Sequence, residues 1–175
     1  MIKKIKSFKR QSRETDEDRL PVCHLHPLDD GGLFDFFSRQ MAHNIKEADD
    51  KEQIRQGTVY LAPANYHLLV ESDKTFALSV DPKVNYSRPS IDVLFESAAL
   101  AWTDTLMGII LTGASSDGAF GISTIKCNGG VTIAQYPADA AYSVMPQAAV
   151  NTGEIDHILS VDKISAVLEK MGSTT

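Results

Sequence analysis

The chain has 175 residues, 43% hydrophobic and 23% charged, with a formal net charge of −6 and two cysteines. That length suits one domain whose core needs neither disulfides nor metal. The acidic balance excludes nucleic acid as a natural partner of the whole molecule, and no apolar run approaches the roughly 20 residues of a membrane-spanning helix.

Residues 1–19 differ from the rest. Six basic residues lie in Met1–Glu14 and four acidic ones in Glu14–Arg19, with few apolar side chains to bury, so a solvated, disordered tail is expected. Order is expected from Leu20. Leu20–Leu25 reads as a short buried strand and Asp29–Gly32 as a loop. Leu33, Phe34, Phe36, Phe37 and Met41 mark a helix running to about His43. Gln53–Pro63 reads as a turn entering a strand and His67–Glu71 and Thr75–Val80 as further strands joined by turns, a hairpin or meander inserted in an α/β fold. Ser90 is a suitable N-cap for a helix with Val93, Leu94, Ala98, Leu100 and Ala101 at core spacing.

The stretch Gly108–Gly121 follows and organises the chain. Gly108–Leu111 is a short β-branched run, Thr112–Gly118 is small and polar, and Phe120, Ile122 and Ile125 return at helical spacing. This is strand, tight loop, helix, and in open α/β sheets the loops at strand carboxyl ends hold the ligands and the chemistry. Gly129-Gly130 ends that helix, and Val131–Ala134 is the next strand. Met145–Val150 reads as a single helical turn, Ile155–Leu159 as a short strand, and Asp162 as the cap of a last helix. The alternation predicts a three-layer, doubly wound, Rossmann-like α/β domain with a mostly parallel sheet.

Asp117, at the entrance of the helix after the organising strand, reads either as that helix's N-cap or as an acid that orients a catalytic histidine. His24, near the end of another strand, can meet Asp117 at the sheet edge, with Asp117 accepting the Nδ1 proton and Nε2 left as base. His26 competes with it. A serine on a Gly-rich elbow is not found. Ser115 and Ser116 crowd Asp117, Ser7 and Ser12 sit in the basic tail, and Cys23 reads as a core residue. Neither metal nor cofactor is expected. His24, His26, Asp29 and Asp30 have no matching cluster elsewhere, and Gly113–Gly118 lacks the lysine of a phosphate-binding loop.

Four motifs in register resemble the catalytic domain of bacterial chemotaxis protein-glutamate methylesterases. They are Leu111–Gly118, Gly57–Pro63 with His67, Ser87–Phe95, and Met145-Pro146 with Ala149. The resemblance runs from about Leu20 to the C-terminus and implies a cytoplasmic hydrolase acting on glutamate methyl esters of chemoreceptor helices, with glutamine deamidation as a related reaction. It assigns the triad histidine to His24 and the triad acid to Asp117, and it places Arg88 near the site as a substrate or loop-positioning contact. The residue three before the acid is often Met in the family and is Ala114 here.

The front of the chain departs from that pattern. The family carries its serine in a Gly-x-Ser-x-Gly-like elbow after a first strand. Here 23 residues precede His24, without a glycine among them. A strand, the elbow and a crossover of at least about 10–12 residues do not fit there. Residues 20–175 are therefore expected to be an N-terminally truncated catalytic domain with impaired activity, and the alternative is a non-catalytic receptor-binding or regulatory module. A rearranged N-terminus filling the gap, or a marginally stable domain, is expected to follow.

Overall fold

The computed structural model describes residues 2–4, 19–20 and 44–172. Among them a seven-stranded sheet runs in the order β3-β4-β2-β1-β7-β8-β9. Its strands are β1 (Ile2–Lys4), β2 (Arg19–Leu20), β3 (Asn44–Glu47), β4 (Thr58–Leu61), β7 (Leu106–Ile110), β8 (Val131–Gln135) and β9 (His157–Leu159). The pairs β3–β4, β2–β4, β7–β8 and β8–β9 are parallel. The strands β5 (His67–Val70) and β6 (Phe76–Ser79) form a separate antiparallel hairpin, as the turn signals predict. Helices α1 (Ile91–Trp102), α2 (Ala119–Cys127), α3 (Val144–Asn151) and α4 (Val161–Gly172) complete the described elements.

Two features at the front differ from the disordered tail and the strands read from the sequence, the first of them in the manner of the rearranged N-terminus given as one alternative. Ile2–Lys4, within the charged segment, lies as β1 between β2 and β7 and is antiparallel to both. The slot beside β7 carries backbone N–H and C=O groups that need partners, and three residues of backbone supply them whatever the side-chain charge. β3 is also unforeseen, because Asn-Ile-Lys-Glu offers one apolar residue in four. It forms by pairing residue for residue with β4, Asn44 to Thr58 through Glu47 to Leu61. The expected helix over 33–43 and all but the first residue of the expected strand Leu20–Leu25 lie outside the described residues.

β7 is buried along its whole length, as a parallel strand covered on both faces must be. Its side chains alternate between two cores. Leu106 and Ile110 join the larger one, with Tyr60, Leu68, Phe76, Leu94, Phe95, Trp102, Ile122 and Ile125. Met107 and Ile109 join the smaller one on the other face, where Ile164, Val167 and Leu168 of α4 cover Ile133. The helix after β8 is longer than the single turn expected, spanning Val144–Asn151 because Met145, Pro146 and Ala149 bury one side of a second turn.

α1 and α2 pack closely. Gly121 is the reason: a Cβ there would lie 2.5 Å from Phe95 Cβ and 3.0 Å from the Asp92 Cα. Gly121→Ala therefore sets a helix-propensity gain of up to about 1 kcal/mol against an overpacking cost of about 1–3 kcal/mol. The neighbour includes helix backbone, which cannot rotate away, so the cost wins. Urea denaturation should show net destabilisation, and an unchanged midpoint would mean that the two helices separate freely.

Candidate functional site

The loop Leu111–Gly118 leaves the carboxyl end of β7 and is fixed from both sides. Thr112 N–H donates to Gln135 Oε1 at the end of β8 (2.9 Å). Gly113 N–H donates to the Tyr142 carbonyl (3.0 Å), and Met145 N–H donates back to the Gly113 carbonyl (2.9 Å). Met145 also fills the space where a Cβ on residue 113 would stand. Further on, Asp117 N–H donates to Ser115 Oγ (3.1 Å) and Ala119 N–H to the Ser116 carbonyl (3.2 Å). The loop thus spends these N–H groups internally, unlike the open backbone cradle of a phosphate site.

Gly118 then turns the chain with φ +95° and is the N-cap residue of α2. The N-cap reading of Asp117 is corrected here. The left-handed step aims its carboxylate away from its own helix and into the N-terminus of α1. Asp117 is fully buried. Its Oδ2 accepts Ile91 N–H (2.6 Å), and its Oδ1 accepts Ser90 Oγ–H (2.7 Å) and Asp92 N–H (3.2 Å). Ser90 occupies the N-cap of α1, as its sequence position predicts, yet its hydroxyl makes no cap bond to the helix. A carboxylate is the stronger acceptor and complements the positive end of the helix dipole, so it takes the cap from across the loop.

His67, buried at the start of β5, holds the other side of this cap. Ser90 N–H donates to its Nδ1 (3.2 Å), and its Nε2 faces the Pro82 carbonyl at 3.1 Å. These partners assign the neutral ring with the proton on Nε2. Arg88 Nη1 donates to the Val80 and Asp81 carbonyls (2.6 and 3.0 Å), tying the exit of β6 to the segment before α1. His24, with His26 and Cys23, lies outside the described residues.

Two residues at the site were not singled out from the sequence. Asp92, in the first turn of α1, is buried beside Asp117, with Oδ1 accepting Gly121 N–H (2.7 Å). Its position on the stripe that carries Phe95, Ala99 and Trp102 was the available signal, an acid where the helix is apolar. Asn85 sits in the turn Val84–Ser87, donating from Nδ2 to Asp92 Oδ2 (2.7 Å) and Asp117 Oδ1 (3.2 Å). Its only sequence signal was the preference of Asn for turns.

Burial raises the Asp92 carboxyl above its ordinary 3.8 and the charge of Asp117 adds to the rise, against the opposing Gly121 N–H. The folded chain then binds a proton that the unfolded chain has already released, so stability falls as pH rises from the ordinary value through the raised one. Asp92→Asn keeps an acceptor for Gly121 and abolishes this titration. Thermal unfolding from about pH 4 upward should show the parent losing stability relative to Asp92→Asn across that window, with a level difference above it. An offset constant at every pH would contradict the assignment.

Comparisons with known proteins span the elements that build this geometry. The family pattern described as CheB methylesterase matches residues 10–168, which include the cap, the loop and both helices. A putative protein-glutamate methylesterase/protein-glutamine glutaminase of Leptospira interrogans is 47% identical over 150 residues, covering 86% of this chain and 78% of its own. The protein-glutamate methylesterase FrzG of Myxococcus xanthus is 36% identical over 151 residues, 85% of this chain and 45% of its own. The crystal structure of the Thermotoga maritima CheB methylesterase catalytic domain superposes with a TM-score of 0.80 at 30% identity, covering 88% of this chain and 82% of that one. With sequence pattern and fold agreeing over most of its length, the chain belongs to the CheB methylesterase family.

Proposed function

We propose that this chain is the protein-glutamate methylesterase domain of a chemotaxis system, acting on methylated chemoreceptor helices. The observation that carries the reading is Asp117: a fully buried carboxylate at the carboxyl end of β7, fixed by the N-terminus of α1. A triad acid needs that fixity, since its work is to hold the histidine in one tautomer and to stabilise the imidazolium that forms.

In this reading Asp117 accepts the Nδ1 proton of His24. A serine attacks the ester carbonyl while His24 Nε2 takes the serine proton and passes it to departing methanol. Water, deprotonated by the same histidine, then hydrolyses the acyl-enzyme to the glutamate carboxylate. The same cycle on a glutamine side chain releases ammonia, the second reaction in the names of several relatives. Arg88 braces the substrate-facing loop and is the proposed substrate contact. Residues 1–175 contain no Gly-x-Ser-x-Gly elbow, so for this sequence by itself the proposal is weak release in which His24 Nε2, held by Asp117, takes a proton from water as it attacks the ester carbonyl and passes that proton to departing methanol.

The test is methanol release from methylated receptor by the chain, by His24→Ala and by Asp117→Asn. Asparagine is used at 117 because alanine would leave the buried donors of Ile91 and Asp92 unpaired, at about 1–3 kcal/mol each. Slow release that both substitutions abolish is expected. Release that neither substitution changes would overturn the triad. Receptor binding without any release would favour the non-catalytic module.

A further inference from the structure

We propose that Asn85 is a positioning residue for Asp117, its carboxamide bridging the Asp92 and Asp117 carboxylates and fixing the rotation of the latter. The proposal rests on the reading of Asp117 as the triad acid. Two carboxylates meet at the junction of α1 and the β7–α2 loop, and each needs donors if both are to stay charged in a buried place. The Asn85 Nδ2 is 2.7 Å from Asp92 Oδ2 and 3.2 Å from Asp117 Oδ1, so one amide nitrogen serves both. With Ser90 Oγ and Asp92 N–H, it gives Asp117 Oδ1 three donors, while Ile91 N–H holds Oδ2.

The turn that presents Asn85 is built for this placement. Val84 N–H donates to the Ser87 carbonyl and Ser87 N–H to the Val84 carbonyl, closing a two-residue hairpin. Asn85 and Tyr86 both lie in the left-handed region, at φ 49° and 63°. Asn tolerates that region and Tyr does not readily. Tyr86 is 97% exposed, so no burial of its side chain offsets the strain. What the turn secures is the inward reach of Asn85. The other titratable groups around the pair, among the described residues, are Glu96 on α1, which burial and the charge of Asp92 push upward, and His67 and Arg88 beyond Ser90.

The test uses Asn85→Gly, which keeps the left-handed backbone and deletes the carboxamide, and Asn85→Asp, which keeps the shape and replaces the donor with a third carboxylate. NMR of the full chain reads two quantities: the amide proton shifts of Ile91 and Asp92, which report where the Asp117 carboxylate stands, and the carboxyl carbon titration of Asp92. In Asn85→Gly both amide protons should move upfield, and the Asp92 midpoint should rise by roughly half a pH unit or more. Asn85→Asp should raise it further and gives the same readout if the glycine variant does not fold. Tyr86→Gly, which keeps the left-handed backbone of the turn and spares the carboxamide, should leave both quantities at their parent values.

The proposal is overturned if the amides and the midpoint stay put in folded Asn85 variants, or if Tyr86→Gly moves them equally. It is separable from the triad reading. Shifted amides together with methanol release that survives Asp117→Asn would keep the Asn85 link and discard the triad. Unmoved amides with release lost in Asp117→Asn would do the reverse.

Discussion

A buried carboxylate at the positive end of a helix holds the carboxyl edge of this sheet together. Taking an ionised Asp117 out of water costs several kcal/mol unless donors replace the lost hydration. Ser90 Oγ, two helix N–H groups and the Asn85 amide replace it here. The same bonds satisfy orphan donors in the first turn of α1, which its own N-cap serine leaves unmet. The charge and the helix terminus are each unfavourable when buried alone and complementary together. That mutual need fixes where α1 begins relative to β7.

The surrounding elements keep this joint from relaxing. The β5–β6 hairpin delivers His67 to the backbone of Ser90, and Arg88 ties the end of β6 to the same approach. On the other side, Gln135 and the Tyr142–Met145 segment hold the start of the loop. A second carboxylate, Asp92, fastens α1 to α2 through Gly121 N–H, where the missing side chain of residue 121 permits the approach. In the proposed triad such bracing would matter for Asp117, because misplacement by an ångström is costly in catalysis.

Below the site, the sheet shows that backbone pairing and side-chain burial are separate requirements. β7 meets both, with two cores on its two faces. β1 meets the first in reverse: its three residues run antiparallel between strands that are otherwise linked through parallel pairs. An antiparallel strand saturates its neighbours' donors and acceptors as fully as a parallel one, which is why a segment unlike a core strand in composition occupies the centre of the sheet.

The sequence by itself determined the local units. The Gly108–Leu111 run, the polar loop and the 3.6-residue spacing after it specified strand, loop and helix, because hydrophobic period and small-residue turns act over a few residues. The hairpin and the α1 and α4 stripes were legible for the same reason, and four motifs in register were enough to place the chain with its relatives. Tertiary structure alone decided which helix Asp117 caps, that Asn85 spans two acids, and that β1 and β3 are strands. These pairings join residues far apart in the chain, 32 positions in the case of Asn85 and Asp117 and more still in the case of Ile2 and Gly108. They are settled by the demand that every buried charge and every strand edge find a partner, a condition that no local pattern encodes.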